Sequence, residues 1–323
     1  MHWLKTAGIL LLSGWASASP AQTVTTAQIE SAAPVAEAQA EILLLEDERY
    51  RRMTVPVTIN GQGPYRFLID TGAQATVLSH TLAEQLQLAD RRPATLIGMA
   101  SSRQIETTIL SELTFGSFSR FDTMAALVAE DNIGGADGIL GLDSLQDRRV
   151  LIDFANRQIE IAESGDAINR RDYDIIVRGR RIGNQLIIAR AELNGVRTAV
   201  IVDTGAQGSI ANQALSRRLS RSRTEGQAEM TDINGVQQTN AVRIVRSLDL
   251  GRAQLSNFPI TTSNSPTFAA LGLDDEPAMI LGMNELRVFE RVAIDFPSRR
   301  VLFDLPDGSR LPSRESFGGL GSL

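Results

Sequence analysis

Phe67-Leu68-Ile69-Asp70-Thr71-Gly72-Ala73 recurs later in the chain as Val200-Ile201-Val202-Asp203-Thr204-Gly205-Ala206. In each copy three bulky apolar residues read as a buried strand. A carboxylate stands at the strand's end, followed by a hydroxyl and by a glycine that permits a tight turn. One Asp-Thr-Gly is an ordinary turn sequence. Two copies behind matching apolar runs point to a duplication. The match extends at constant offsets, with Val77 against Ile210 and the helix N-cap Ser79 against Asn212. Leu82 and Leu86 match Leu215 and Leu219 as i,i+4 apolar pairs on short helices. Upstream, Asn60-Gly61 and Asn194-Gly195 mark hairpin turns. Downstream, Ile139-Leu140-Gly141 matches Ile280-Leu281-Gly282, and Ile152-Asp153-Phe154 with Arg157 matches Ile294-Asp295-Phe296 with Arg299. Each Ile-Leu-Gly reads as a strand crossing behind its carboxylate, where glycine admits close backbone approach. Asp143, replaced by Asn284 in the second copy, reads as a local cap.

A chain of 323 residues has room for two domains. Its net charge of −6 argues against a nucleic-acid partner. There is no cysteine, the one lysine is Lys5, and the histidines are His2 and His80. Past the first residues these absences exclude a Cys nucleophile, a Lys Schiff base and a Ser-Lys pair. They also leave too few ligands for a Cys/His zinc site, so no metal is expected. His80 sits beside Ser79 at a helix start, a poor place for a triad base, and reads as a surface residue. Carboxylates remain for acid–base work.

Residues 1–21 read as a secretory signal. His2 and Lys5 give a positive start, Ala7 to Leu12 an apolar core, and Ala16-Ser17-Ala18 or Ser19-Pro20-Ala21 a cleavage site. The apolar run is short for a membrane span, so no stable insertion is expected unless the segment stays attached as an anchor. The body is expected to be exported, periplasmic or secreted. Residues 22–40 read as a flexible spacer, 41–162 as a first lobe and 163–184 as a connector with a strand at Asp174-Ile175-Ile176-Val177. Residues 185–306 read as a second lobe and 307–323 as a disordered tail. The acidic run Asp274-Asp275-Glu276 reads as a solvated loop. Ala94 to Leu110 reads as a hairpin around Gly98-Met99-Ala100-Ser101-Ser102, and its counterpart, Ala228 to Ile244, turns at Asn234-Gly235. Both are candidate flaps, with Met99, Ala100, Ser101, Ile233, Asn234 and Gly235 as candidate substrate contacts.

Two carboxylates on equivalent strands can meet across a pseudo-twofold axis. At about 3 Å they cannot both ionise and share one proton. The ionised member can take a proton from water while the protonated member polarises a carbonyl, without a covalent intermediate, metal or cofactor. A glycosidase pair needs about 5 Å or more of separation and unlike roles, which two identical loops do not suggest.

On the duplicated Asp-Thr-Gly-Ala, each followed by Ile-Leu-Gly, the chain resembles the retropepsin-like aspartic proteases from about Met53 to Leu305. The resemblance implies an all-β fold with short helices: two closed β-barrel lobes in one chain, related by a pseudo-twofold axis, as in acid proteases. It implies Asp70 and Asp203 as the catalytic dyad and no cofactor. Thr71 and Thr204 would hydrogen-bond across to lock the loops, Gly72 and Gly205 would shape the turns, and Ala73 and Ala206 follow them. Gln74 and Gln207 stand where viral members carry an Asp that pairs at the interface. The implied activity is that of an aspartic endopeptidase acting on exported or periplasmic peptides or proteins. A monomer is expected, with a swapped dimer as the alternative assembly. A non-catalytic peptide-binding protein of the same fold is the alternative function.

Overall fold

The computed structural model describes residues 8–10, 14–17, 54–163, 173–219 and 224–306. The expected spacer and tail lie outside these residues, as does much of the expected signal segment. Two short strands come from that segment, β1 (Gly8–Leu10) and β2 (Gly14–Ser17). The first lobe contributes β3 (Thr54–Ile59), β4 (Gln62–Ile69), β5 (Val77–Ser79), β6 (Arg92–Ile97), β7 (Ser102–Phe115), β8 (Phe118–Val128) and β9 (Gly138–Leu140). Next come β10 (Arg148–Asp153), β11 (Gln158–Glu163), β12 (Ile175–Arg178) and β13 (Arg180–Ile182). The second lobe contributes β14 (Gln185–Leu193), β15 (Val196–Val202), β16 (Ser209–Ala211), β17 (Thr224–Asp232), β18 (Gln237–Leu250), β19 (Ala253–Thr262) and β20 (Ala278–Leu281). The chain's described part ends with β21 (Arg291–Asp295) and β22 (Arg300–Asp304).

Each lobe is a closed barrel. In the first, the order β7-β3-β4-β9-β5-β8 closes through a β7–β8 pairing. In the second, β14-β15-β20-β16-β19-β18 closes through β14–β18. Closure leaves no open barrel edge, and the inward positions carry the core. The hairpins that enter the motif strands turn at Asn60-Gly61 (φ 51° and 75°) and Asn194-Gly195 (φ 48° and 80°). Two successive positive φ values are what a two-residue type I′ turn requires, hence Asn-Gly at both. Behind each motif strand runs its Ile-Leu-Gly strand in parallel register, Ile69 against Leu140 and Val202 against Leu281.

The lobes are welded by a five-stranded sheet ordered β11-β10-β21-β22-β12. Here the two repeated Ile-Asp-Phe strands pair with each other, Val150 against Ile294 and Ile152 against Val292. The strand expected in the connector joins the same sheet, with Ile175 opposite Phe303. Val150, Ile152, Val292, Ile294 and Phe303 are buried in one apolar cluster that also includes Phe67 of the first barrel and Phe258 of the second. Burying each such side chain contributes about 1.5–3 kcal/mol, so the lobes share a core.

β6–β7 and β17–β18 extend from the barrels as the two hairpins expected to be flaps. β1 lies parallel to the free edge of β6, and β2 lies antiparallel to that of β17. No described helix is long and apolar enough to cross a membrane.

Candidate active site

β4 and β15 end at Asp70 and Asp203, and the turns that follow bend each carboxylate back over its own loop. One oxygen of Asp70, Oδ1, accepts the N–H groups of Gly72 (2.8 Å) and Ala73 (2.9 Å). Asp203 Oδ1 accepts those of Gly205 (2.8 Å) and Ala206 (3.1 Å). Each loop is held from behind: Leu140 O accepts from Asp70 N–H and Leu281 O from Asp203 N–H, both at 3.1 Å. The N–H groups of Leu142 and Met283 then bond to Ala73 O and Ala206 O.

The glycines explain how the two acids reach each other. A Cβ on Gly72 would lie 2.4 Å from Asp203 Cγ, and one on Gly205 would lie 2.1 Å from Asp70 Oδ2. Each glycine makes room for the opposite lobe's carboxylate. The acids are shut away from solvent, Asp70 at 1% and Asp203 at 0% exposure. Burial first, and then the adjacent Asp70 charge, push the Asp203 carboxyl well above the usual carboxylate range, against the lowering pull of the Gly205 and Ala206 N–H groups. Asp203 Oδ2 is buried with no hydrogen-bond donor directed at it.

Thr71 and Thr204 cross between the lobes. Thr71 Oγ1 donates to Val202 O (2.9 Å) and accepts Thr204 N–H (3.2 Å). Thr204 Oγ1 donates to Ile69 O (2.7 Å) and accepts Thr71 N–H (3.1 Å). Where viral members use an ion pair, Gln74 Nε2 donates to Gln185 Oε1 (2.8 Å), and Gln185 Nε2 donates to Thr71 O (2.9 Å). Gln185, which is fully buried, has no counterpart in the repeat and gave no signal in the sequence.

Below the loops the lobes differ. Asp143 accepts from Thr76 N and Thr76 Oγ1 at 2.8 Å, the capping place expected for it. In the second lobe the acid stands one residue later. Ser209 Oγ donates to Glu285 and accepts Gly282 N–H. Glu285 is 4% exposed, and burial raises its pKa to about 7 against the pull of the Ser209 hydrogen bond. His80 is exposed, and Glu276 of the acidic run pairs with Arg180 at the surface (2.9 Å). No group of three His, Cys, Asp or Glu among the described residues is placed to hold a metal ion.

The flap tips cross over. Met99 is fully buried in an apolar cluster with Ile201, Ala206 and Phe268 of the second lobe. Ile233, equally buried, shares a cluster with Leu68, Ala73 and Val77 of the first. These two side chains plug into the opposite lobe and do not line an open groove. Ala100 N–H and Ser101 Oγ bond to Asp232, a residue that sequence reasoning passed over, and Gly235 takes the left-handed turn position (φ 75°).

A family profile described as "gag-polyprotein putative aspartyl protease" matches residues 55–147, and one described as "Aspartyl protease" matches residues 189–284. Together they take in more than half of the chain. Comparison with curated protein sequences gives no match. Among solved structures, a retropepsin-like aspartic protease from Rickettsia conorii is similar at 20% identity, over 40% of this chain and 88% of that one, with a TM-score of 0.28. With one profile on each barrel, and an Asp-Thr-Gly-Ala loop inside each matched stretch, the chain belongs to the retropepsin-like aspartic proteases.

Proposed function

We propose that the chain is an aspartic endopeptidase that hydrolyses peptide bonds with a water activated between Asp70 and Asp203, and that it acts outside the cytoplasm. The observation that carries the mechanism is the reciprocal fit of Gly72 to Asp203 and of Gly205 to Asp70, which brings two buried acids into one site. With one proton between them, the ionised carboxylate takes a proton from the water as it attacks the scissile carbonyl. The protonated carboxyl gives its proton to the carbonyl oxygen. Collapse of the tetrahedral diol returns that proton and delivers one to the leaving amine, which restores the singly protonated pair. The four loop N–H groups on the two Oδ1 atoms keep the acids in place through this exchange.

An extended peptide as substrate is supported by β1 and β2. A twofold axis reverses strand direction, so one peptide crossing equivalent flap edges must run parallel to one and antiparallel to the other. β1 and β2 do this on β6 and β17. Export is supported by the sequence pattern of residues 1–21. Cleavage after Ala18 or Ala21 removes both strands and frees both flap edges for substrate.

The test is cleavage of a diverse peptide library by the purified mature chain, with a statine-type inhibitor as control. Internal cuts that the inhibitor blocks are expected. Trimming from chain ends alone, or inhibitor-insensitive cuts, would overturn the endopeptidase reading. N-terminal sequencing of protein recovered from the exporting cell checks the leader.

A further inference from the structure

The two flaps are not symmetric at their tips. Asp232 is fully buried where the second hairpin turns, and it collects donors from both flaps. Its Oδ1 accepts Asn234 N–H (3.0 Å) and Val236 N–H (2.9 Å) of its own turn. Its Oδ2 accepts Ala100 N–H (3.2 Å) and Ser101 Oγ–H (2.7 Å) of the other flap. Asn234 Nδ2 adds a bond to Ser101 Oγ (2.9 Å). The position matching Asp232 in the first flap is Gly98, where a Cβ would lie 2.6 Å from Asp232 Oδ2. The pair of tips therefore holds one carboxylate and space for one only.

We propose that Asp232 is a positioning residue, a one-sided latch that holds both flaps closed over the dyad and that must release for a peptide to enter or leave. This rests on the reading of the chain as a protease. Met99 packs with Ala206 and Ile233 with Ala73, each beside a motif loop, so a peptide reaches the acids, at 0–1% exposure with the leader strands in place, only when the tips part. Opening breaks polar contacts at the latch: the buried Asp232 side chain must give up the hydrogen bonds from Ala100 N–H and Ser101 Oγ–H of the other flap. The plugs at Met99 and Ile233 lift out with it.

Asp232→Asn separates the latch from the turn. The amide oxygen still accepts from Asn234 and Val236, while Nδ2 now faces Ala100 N–H donor against donor, and Ser101 Oγ, which already accepts from Asn234 Nδ2, loses its acceptor. The first readout uses Asp70→Asn protein, which needs no catalysis: the rate at which peroxide oxidises Met99, mapped by mass spectrometry, reports how often the flap lifts. Asp232→Asn is expected to raise that rate tenfold or more, with the melting temperature and amide exchange of the barrels little changed. Ser101→Ala should raise it in the same direction. In the active enzyme Asp232→Asn should raise both the association and the dissociation rate constants of a statine-type inhibitor about as much as it raises opening. An unchanged Met99 oxidation rate overturns the latch, as do unchanged inhibitor association and dissociation rates in an enzyme that cleaves peptide. Failure of the protease reading would show instead as a wild type that cleaves nothing, with the oxidation result still standing.

Discussion

Replacing Glu285 by Gln should remove a pH dependence of stability built into the second lobe. The carboxyl is 4% exposed, and its pKa lies near 7 instead of the ordinary 4.5. The folded chain holds this proton more tightly than the unfolded chain. The stabilisation is therefore fully present below about pH 4.5 and is lost as pH rises through about 7. At about 1.36 kcal/mol per pKa unit the loss amounts to about 3 kcal/mol. Glutamine keeps the shape and can still accept from Ser209 Oγ, but it does not ionise. Urea unfolding of both proteins at pH 4 and pH 8 reads the effect. The dyad also contributes a fall with rising pH, because the Asp203 pKa is raised, but it does so in both proteins and cancels in the difference. The two proteins should match at pH 4, and the variant should be more stable by about 3 kcal/mol at pH 8. Equal losses in both between the two pH values would refute the reasoning.

Gly205→Ala places a methyl 2.1 Å from Asp70 Oδ2, so it should separate the dyad and lower kcat/KM by about a hundredfold or more, while circular dichroism shows the β-structure retained. Thr71→Val keeps the shape but strips partners from Val202 O and Thr204 N–H; urea unfolding should show a loss of about 2–5 kcal/mol. Hydrolysis should fall at alkaline pH as the shared proton leaves the pair, and a rate still climbing above about pH 9 would contradict that account.

What the sequence made legible was what the duplication repeats. The motif loops, the Asn-Gly hairpins, the caps at Ser79 and Asn212 and the strands behind each acid depend on local chemistry that two copies had to preserve. Ser79 Oγ accepts Leu82 N–H, and Asn212 Oδ1 accepts Leu215 N–H, as their cap positions predict. The Ile-Asp-Phe repeats were visible as repeats, but their pairing into the interlobe sheet was not, because an apolar run does not name its partner strand. Asp232, Gln185 and Glu285 were missed for a related reason. Each breaks the repeat, and each takes its meaning from a residue far away in sequence: Ser101, Gln74 and Ser209. Glu285 left a trace, an acid standing where the first copy has Ser144. The two hairpins were legible in sequence, but the burial of Met99 and Ile233 in the opposite lobes was not, because only tertiary packing decides it.

The central claim is that Asp70 and Asp203 form one catalytic unit. The direct measurement is the rate at which wild type, Asp70→Asn and Asp203→Asn cleave one peptide, with unfolding curves confirming that all three are folded. Both variants should lose activity by orders of magnitude, and by similar factors, because a shared proton needs both acids. Near-full activity in either folded variant would contradict the account.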